Sequence, residues 1–264
     1  MRGLLGFIKK EYMEIFRTGK LLFMVILFSL FGIMSPAIAK LTPWLMNIMS
    51  ESLKETGIII TEVKVDAITS WTQFYKNIPI VFLVFFFLFS NILTMEYQKG
   101  TLISILTKGL ERWKIILAKL ILLCSLWTGL YWLCYGITYV YNAYFWDNGI
   151  ISSVFFPAFC IYLFGIYLLS LLLLFSVIFS SNTMVIIGVF GSCFGIYLLM
   201  LLNRMIESLS FLEKYLPIYL FYASNLISNI TEKKEYIYAI FATLVMIIFH
   251  SILTIFFFNK KVVN

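Results

Sequence analysis

Six long stretches of the chain carry almost no charge, and they limit what the chain can fold into. A helix needs about 20 predominantly apolar residues to cross a hydrocarbon core of roughly 30 Å. Charge-free stretches near this length span residues 21–39, 78–95, 154–179, 184–202 and 236–258. A further stretch, residues 115–141, contains only Lys119, close enough to its start for the side chain to reach the interface. The sequence therefore predicts an all-α membrane protein with six transmembrane helices.

The composition supports one transmembrane domain over residues 1–264. The chain is 62% hydrophobic and only 12% charged, whereas an ordinary soluble domain is about 25% charged. A soluble fold could not bury so much apolar surface.

The distribution of Lys and Arg predicts the orientation. Basic residues concentrate in the first segment, in the connection between the second and third stretches, and in the tail. These residues are Arg2, Lys9, Lys10, Arg17, Lys20, Lys99, Lys108, Arg112, Lys114, Lys260 and Lys261. The opposite connections spread fewer basic residues over a much longer length and offset them with acids, so both termini are expected in the cytoplasm. The positive charge thus indicates topology and contact with anionic lipids, and it predicts no nucleic-acid partner.

The first 20 residues have two chemically different faces. At 100° per residue, one face holds Leu4, Leu5, Ile8, Tyr12, Ile15 and Phe16, and the other holds Lys9, Lys10, Glu11, Glu14 and Arg17. Phe7 and Met13 break the pattern. This spacing favours a helix lying in the membrane interface. A generic basic leader is the alternative.

Two connections on the outer side have structure of their own. In residues 40–77, Leu41, Trp44, Leu45 and Ile48 have helical spacing, while Val63, Val65 and Ala67 alternate with charges as in a short extended segment. In residues 203–235, Pro217 prevents one continuous helix. This connection is either a pair of short helices dipping into the outer leaflet or an amphipathic surface helix.

The cytoplasmic connection over residues 96–114 has the pattern of a short, separately capped helix. Gly100 can end the preceding helix in a left-handed conformation, Thr101 can cap the next helix, and Gly109 can end it. Between the glycines, Leu102, Ile105 and Leu106 form an apolar stripe. The residues alone leave two interpretations open, a face that docks on a partner protein or an interfacial turn.

These residues resemble a known family, the permease subunits of type-2 ABC transporters, whose architecture resembles that of type V exporters. In that family an acidic residue ending the second span is followed by Gly-Thr-Leu, a coupling helix, a basic residue and a Lys early in the third span. The matching positions are Glu96, Gly100, Thr101, Leu102, Arg112 and Lys119. The amphipathic start with Lys9, Lys10, Glu11 and Arg17 and the broken segment at Pro217 are also similar. Two positions differ from the family pattern. The family often has Pro where this chain has Gly109, and a small residue where it has Glu111.

The resemblance implies that the coupling helix, with Ile105 and Leu106, docks on a separate ATP-binding subunit. It implies two permeases, identical or different, with two ATPases that carry ATP and magnesium. We accordingly expect a bacterial cell-membrane protein with no cofactor of its own.

The chain lacks the residues of several other function classes. It has no Gly-x-x-x-x-Gly-Lys-Ser/Thr loop, so ATP hydrolysis is expected on another chain. No acid lies centrally in a span, which disfavours an ion-driven carrier. The sequence predicts no catalytic residue and no metal site, because His250 is the only histidine.

Polar and small residues in the last spans are candidates for a pathway or a dimer seam. Gly188, Gly191 and Gly195 allow close helix approach, either within the chain or between permeases. Ser192 and Asn203 are further candidates. The intramembrane His250 either hydrogen-bonds a neighbour in a packing role, which we favour, or lines a wet path. We therefore expect an exporter permease for a hydrophobic or amphipathic substrate such as a peptide, an antibiotic or a lipid. The alternatives are a membrane immunity or sensor protein without turnover and an ion-coupled carrier.

Overall fold

The fold consists of long helices joined by short helical segments in the part of the chain that is described. The computed structural model describes residues 2–53, 65–107, 109–146, 148–150, 153–205, 207–227 and 232–261. The α-helices are α1 (Arg2–Arg17), α2 (Lys20–Leu53), α3 (Ala67–Phe89), α4 (Thr94–Gln98), α5 (Thr101–Thr107), α6 (Arg112–Phe145), α7 (Phe155–Ile178), α8 (Asn182–Met205) and α9 (Lys233–Lys260). Short 3₁₀ segments are Asn148–Ile150, Glu207–Tyr215 and Pro217–Leu226.

Six segments of the described residues are long and apolar enough to cross a membrane, which matches the predicted number. They lie at Lys20–Met49, Ala67–Gln98, Arg112–Phe145, Phe155–Ile178, Asn182–Asn203 and Lys233–Lys260. The fourth segment is the centre of the bundle. In its most apolar 18-residue stretch 78% is buried, whereas the corresponding shares in the last two segments are 17% and 11%. The apolar residues left exposed on those outer helices are compatible with a multi-pass membrane protein.

Helix α2 contains Pro36 and Pro43, and at Pro36 its backbone is supported by α6. Pro36 has no N–H to donate to the carbonyl of Gly32, and Thr138 Oγ1 donates to that carbonyl instead at 2.9 Å. A Cβ on Gly32 would lie 2.9 Å from the Cys134 carbonyl O. The glycine therefore allows α2 and α6 to pack closely, and the hydroxyl replaces the hydrogen bond that proline removes.

The predicted loop over residues 40–77 is largely helical where it is described. The helical spacing after residue 40 belongs to α2, which runs to Leu53. Asp66 caps α3 by accepting a hydrogen bond from the Thr69 amide at 2.9 Å, as short polar side chains do at helix starts. The first half of the predicted extended segment, residues 62–64, lies outside the described residues. Its last residue, Ala67, belongs to α3.

Two short helical segments occupy the described part of the connection between α8 and α9. The break between the two segments lies just before Pro217, which begins the second one. Pro217–Leu226 buries Pro217, Tyr219, Leu220, Ala223 and Leu226 and packs on α7 and α9. The predicted pair of short helices is therefore present. Their position relative to a leaflet stays a prediction.

Candidate functional site

A buried lysine in α6 is held by carboxylates from two other helices. Lys119 is 1% exposed. Its Nζ lies 3.1 Å from Glu11 Oε2 in α1 and 3.0 Å from Glu96 Oε2 in α4. An unpaired buried ammonium would cost several kcal/mol, so these two carboxylates explain why Lys119 can lie inside the apolar bundle.

A second lysine completes the arrangement from the surface side. Lys10 Nζ lies 3.0 Å from Glu11 Oε1, 3.2 Å from Glu96 Oε1 and 3.1 Å from Glu14 Oε2. Glu11 and Glu96 thus each bridge two ammonium groups. We call Lys10, Glu11, Glu96 and Lys119 the ion-pair cluster. It ties α1, α4 and α6 together with two positive and two negative charges.

Neighbouring opposite charges keep Lys10 and Glu11, the two members of the ion-pair cluster on α1, in their charged forms. Burial alone would raise the pKa of Glu11, but the ammonium groups of Lys119 and Lys10 hold that pKa below its ordinary value. Burial alone would lower the pKa of Lys10, but the carboxylates of Glu11 and Glu96 hold it above the ordinary value. Both residues are therefore charged over the physiological pH range.

The position of Glu11 corrects the predicted faces of α1. The sequence placed Glu11 on the polar face together with Lys9 and Arg17, but Glu11 is only 5% exposed. Phe7 and Ile15 are buried one turn to either side of Glu11. Pairing with the buried Lys119 turns this face inward, which a hydrophobicity pattern cannot anticipate. Lys9 and Arg17 remain exposed.

The second span is broken beside the ion-pair cluster, between α3 and α4. The amide of Ile92 bonds to Phe89 O, and the amide of Glu96 bonds to Leu93 O. The carbonyl groups of Leu88 and Ile92 therefore lose their usual α-helical partners.

Two lysines donate to those same carbonyl groups. Lys119 Nζ donates to Ile92 O at 2.8 Å, and Lys20 Nζ donates to Leu88 O at 3.3 Å. The sequence predicted no break here, since neither glycine nor proline marks it. A kink formed by side chains that insert into the helical ladder leaves no such signal.

A small polar cavity lies at this break. It measures about 60 Å³, and its lining includes Glu11, Glu14, Lys20, Asn91, Glu96 and Lys119. A polar cavity of this size can hold ordered water. Water there would complete the solvation of the carboxylates that face it.

Arg112 joins the start of α6 to the end of α9. Its Nη1 donates to the carbonyl groups of Phe258, Asn259 and Lys261 at 3.0, 3.2 and 2.7 Å. These are among the carbonyl groups that a helix C-terminus leaves unpaired, where a cation is favourable. Lys261 Nζ in turn donates to Val177 O at 2.6 Å. In the described part of the chain, helices α1, α4 and α5, the start of α6 and the end of α9 therefore lie together at one end of the bundle.

The segment predicted to be a coupling helix is helical, and both of its glycines have the predicted conformation. Gly100 and Gly109 have φ angles of 66° and 82°, in the region that favours glycine. Thr101 is the first residue of α5, and its hydroxyl donates to Glu96 O at 3.4 Å.

The apolar stripe of α5 faces its own chain. Leu102 is fully buried, and Ile105 and Leu106 are half-buried against the core. The exposed face consists of Thr101, Ile103, Ser104 and Thr107. An open groove of about 520 Å³ runs between α1 and α5. A partner at α5 would therefore contact this exposed face and the groove, because Leu102 is not accessible.

The small residues of α8 divide into two groups. A Cβ on Gly188 would lie 2.8 Å from the Phe175 ring of α7, whereas one on Gly191 or Gly195 would meet nothing within 4 Å. Gly188 thus serves packing within the chain, while the other two leave an open face. Ser192 Oγ donates to Gly188 O at 2.8 Å.

His250 contacts two residues of α7, and Asn203 is buried. His250 Nδ1 lies 3.2 Å from Ser170 Oγ, and its ring is 5.5 Å from that of Tyr167. This environment fits a hydrogen-bonded packing role. Asn203, at the end of α8, is 8% exposed.

The described residues form a helical bundle with six candidate spans, which is compatible with a multi-pass membrane protein, and the ion-pair cluster lies at one end of it. Comparison with models of protein families, with curated proteins and with solved structures finds no match.

Proposed function

We propose that this chain is the transmembrane permease subunit of an ATP-driven ABC exporter. The observation that supports it best is the ion-pair cluster, which links α1 and α4 to the buried part of α6. In such a subunit, movement of α4 and α5 reaches the spans through a rigid connection. Buried ion pairs provide one, because separating them leaves a charge uncompensated.

The proposed orientation puts this end of the bundle in the cytoplasm. The basic segments that the positive-inside rule assigns to the cytoplasm include Lys10, Arg112 and Lys261, which make contacts at this one end. The chain is then a multi-pass protein of a bacterial cell membrane with both termini inside. Its cargo is hydrophobic or amphipathic, of the class of peptides, antibiotics or lipids.

The partner in this proposal is a separate ATP-binding subunit that holds ATP and magnesium. It docks on the exposed residues Ile103, Ser104 and Thr107 of α5 and on the adjoining groove. Gly191 and Gly195, on the open face of α8, are candidates for contact with a second permease, because small residues allow close approach of membrane helices.

An ion-coupled carrier is the less favoured alternative. Broken helices in such carriers use freed carbonyl groups to bind the coupling ion. Here the ammonium groups of Lys119 and Lys20 bond to the carbonyl groups freed at the break. A tethered cation thus occupies each of these positions.

Gentle purification with mass analysis of the associated subunits tests the proposal. The chain, tagged and extracted from its native membrane, should retain an ATPase. Ile103→Glu, on the exposed face of α5, should reduce that retention. Tyr144→Glu is the matched control, since Tyr144 is 82% exposed at the other end of α6. If the wild-type chain retains no ATPase, a membrane binding protein without turnover becomes the better account.

A further inference from the structure

A cleft lies at the end of the bundle opposite the ion-pair cluster. It measures about 300 Å³ and opens between α3 and the 3₁₀ segment Pro217–Leu226. Pro79 and Phe221 form its apolar wall, and the remaining lining residues carry polar groups: Thr72, Tyr75, Lys76, Ser224 and Asn225. Clefts with an apolar wall and a few polar groups are common ligand sites.

The polar side of the cleft offers hydrogen-bond donors. Lys76 is exposed and forms no ion pair with any described residue. The hydroxyl of Ser224 and the carboxamide of Asn225 likewise make no hydrogen bond within the described part of the chain. An ammonium, a hydroxyl and an amide together suit an oxyanion, because charge-assisted hydrogen bonds to phosphate or carboxylate are the strong ones.

An apolar strip leads away from this donor group along α3. Ile80, Leu83 and Phe87 are 49%, 39% and 59% exposed and follow Lys76 at helical spacing on one face. At 1.5 Å per residue the strip from Lys76 to Phe87 is roughly 16 Å long. That is about half of a hydrocarbon core of roughly 30 Å, the depth that one acyl chain occupies.

We infer that this cleft and strip bind an acidic membrane lipid, with its phosphate at Lys76, Ser224 and Asn225 and one acyl chain along Ile80, Leu83 and Phe87. Charge complementarity selects the head group. The membrane is the source of the lipid, because the strip lies on an exposed face of a candidate span. This inference does not depend on the proposed function.

Lipid retention measured by native mass spectrometry tests the inference. Full-length protein, stripped of lipid in dodecylmaltoside, is given dioleoyl phosphatidylglycerol or dioleoyl phosphatidylcholine. We expect wild type to retain the acidic lipid preferentially. Lys76→Gln should reduce that preference about fivefold, whereas Lys76→Arg keeps it. Lys40→Gln is the matched control, because Lys40 lies 3.7 Å from the centre of the Phe145 ring and does not line the cleft.

Competition against wild type separates this lipid site from a simple anion site. Dihexanoyl phosphatidylglycerol has the same head group with short chains, so it should displace the long-chain lipid poorly, and inorganic phosphate should displace even less. Equal retention of the two long-chain lipids would overturn the inference. Unchanged preference in Lys76→Gln, or displacement by phosphate alone, would also overturn it.

Discussion

The Nζ of Lys119 lies 3.1 Å from Oε2 of Glu11, and the two side chains are 1% and 6% exposed. This pair joins the first helix of the chain to a span that begins about 100 residues later. Glu96 binds the same ammonium from the broken end of the second span. One buried cation thus fixes the relative positions of α1, α4 and α6.

Removing this cation should destabilise the protein strongly. Lys119→Met leaves Glu11 and Glu96 buried with only Lys10 to compensate them, so we expect a loss of about 3–5 kcal/mol in the free energy of unfolding. Unfolding by SDS in dodecylmaltoside micelles measures it. Lys9→Met is the control, because Lys9 is exposed on α1 and should change stability by less than about 0.5 kcal/mol.

Acid should weaken the attachment of α1. The pKa of Glu11 is lower in the folded protein than its ordinary value of 4.5. The carboxylate therefore contributes stability that is complete above that ordinary value and is lost as the pH falls through the folded-state pKa. We expect the unfolding midpoint of wild type to fall in this acid range more steeply than that of Glu11→Gln. Glu14→Gln, at a mostly exposed position, should behave as wild type; equal slopes in all three would contradict the role of Glu11.

The end of α9 should fray without Arg112. Arg112→Ala removes three hydrogen bonds to carbonyl groups at the end of α9. We expect the free energy of unfolding to fall by about 1–3 kcal/mol. Hydrogen exchange should then quicken in the last turn of α9. In Lys114→Ala, which removes an ion pair with Glu111 and a contact over the Trp113 ring but no bond to α9, the same amides should exchange as in wild type. Unaltered exchange in Arg112→Ala would show that the end of α9 does not depend on this residue.

Gly165 should not tolerate a methyl group. A Cβ on this α7 residue would overlap the indole of Trp127, which is 1% exposed and stacks on Phe82 with ring centroids 4.9 Å apart. Overpacking of this kind costs about 1–3 kcal/mol, so Gly165→Ala should lower the thermal midpoint. Gly129→Ala in α6 is the matched control, since its Cβ meets nothing within 4 Å.

The sequence could predict the spans because lipid demands long apolar helices. A run as long and apolar as residues 154–179 predicts a buried or membrane-spanning helix, and the helix found there, α7, is the buried centre of the bundle. Gly100 and Gly109 could also be predicted to have positive φ, because glycine dominates that conformation. Local chemistry was sufficient in these cases.

The interior of the site depends on partners distant in sequence. Glu11 is buried because it pairs with a lysine on another helix, whereas the residue spacing of α1 placed it on the polar face. The break after Phe89 depends on Lys20 and Lys119, which bond to the freed carbonyl groups. The continuity of α2 past Pro36 likewise depends on Thr138. None of these pairings leaves a periodic pattern in the sequence.

A double-mutant cycle between Glu11 and Lys119 tests most directly whether the ion-pair cluster joins α1 to α6. The free energy of unfolding is measured for wild type, Glu11→Gln, Lys119→Met and the double variant. If the two side chains stabilise each other as the structure indicates, the double variant loses about 1–3 kcal/mol less than the sum of the single losses. Losses that add to within about 0.5 kcal/mol would contradict the coupling and with it the rigid connection on which the proposed function depends.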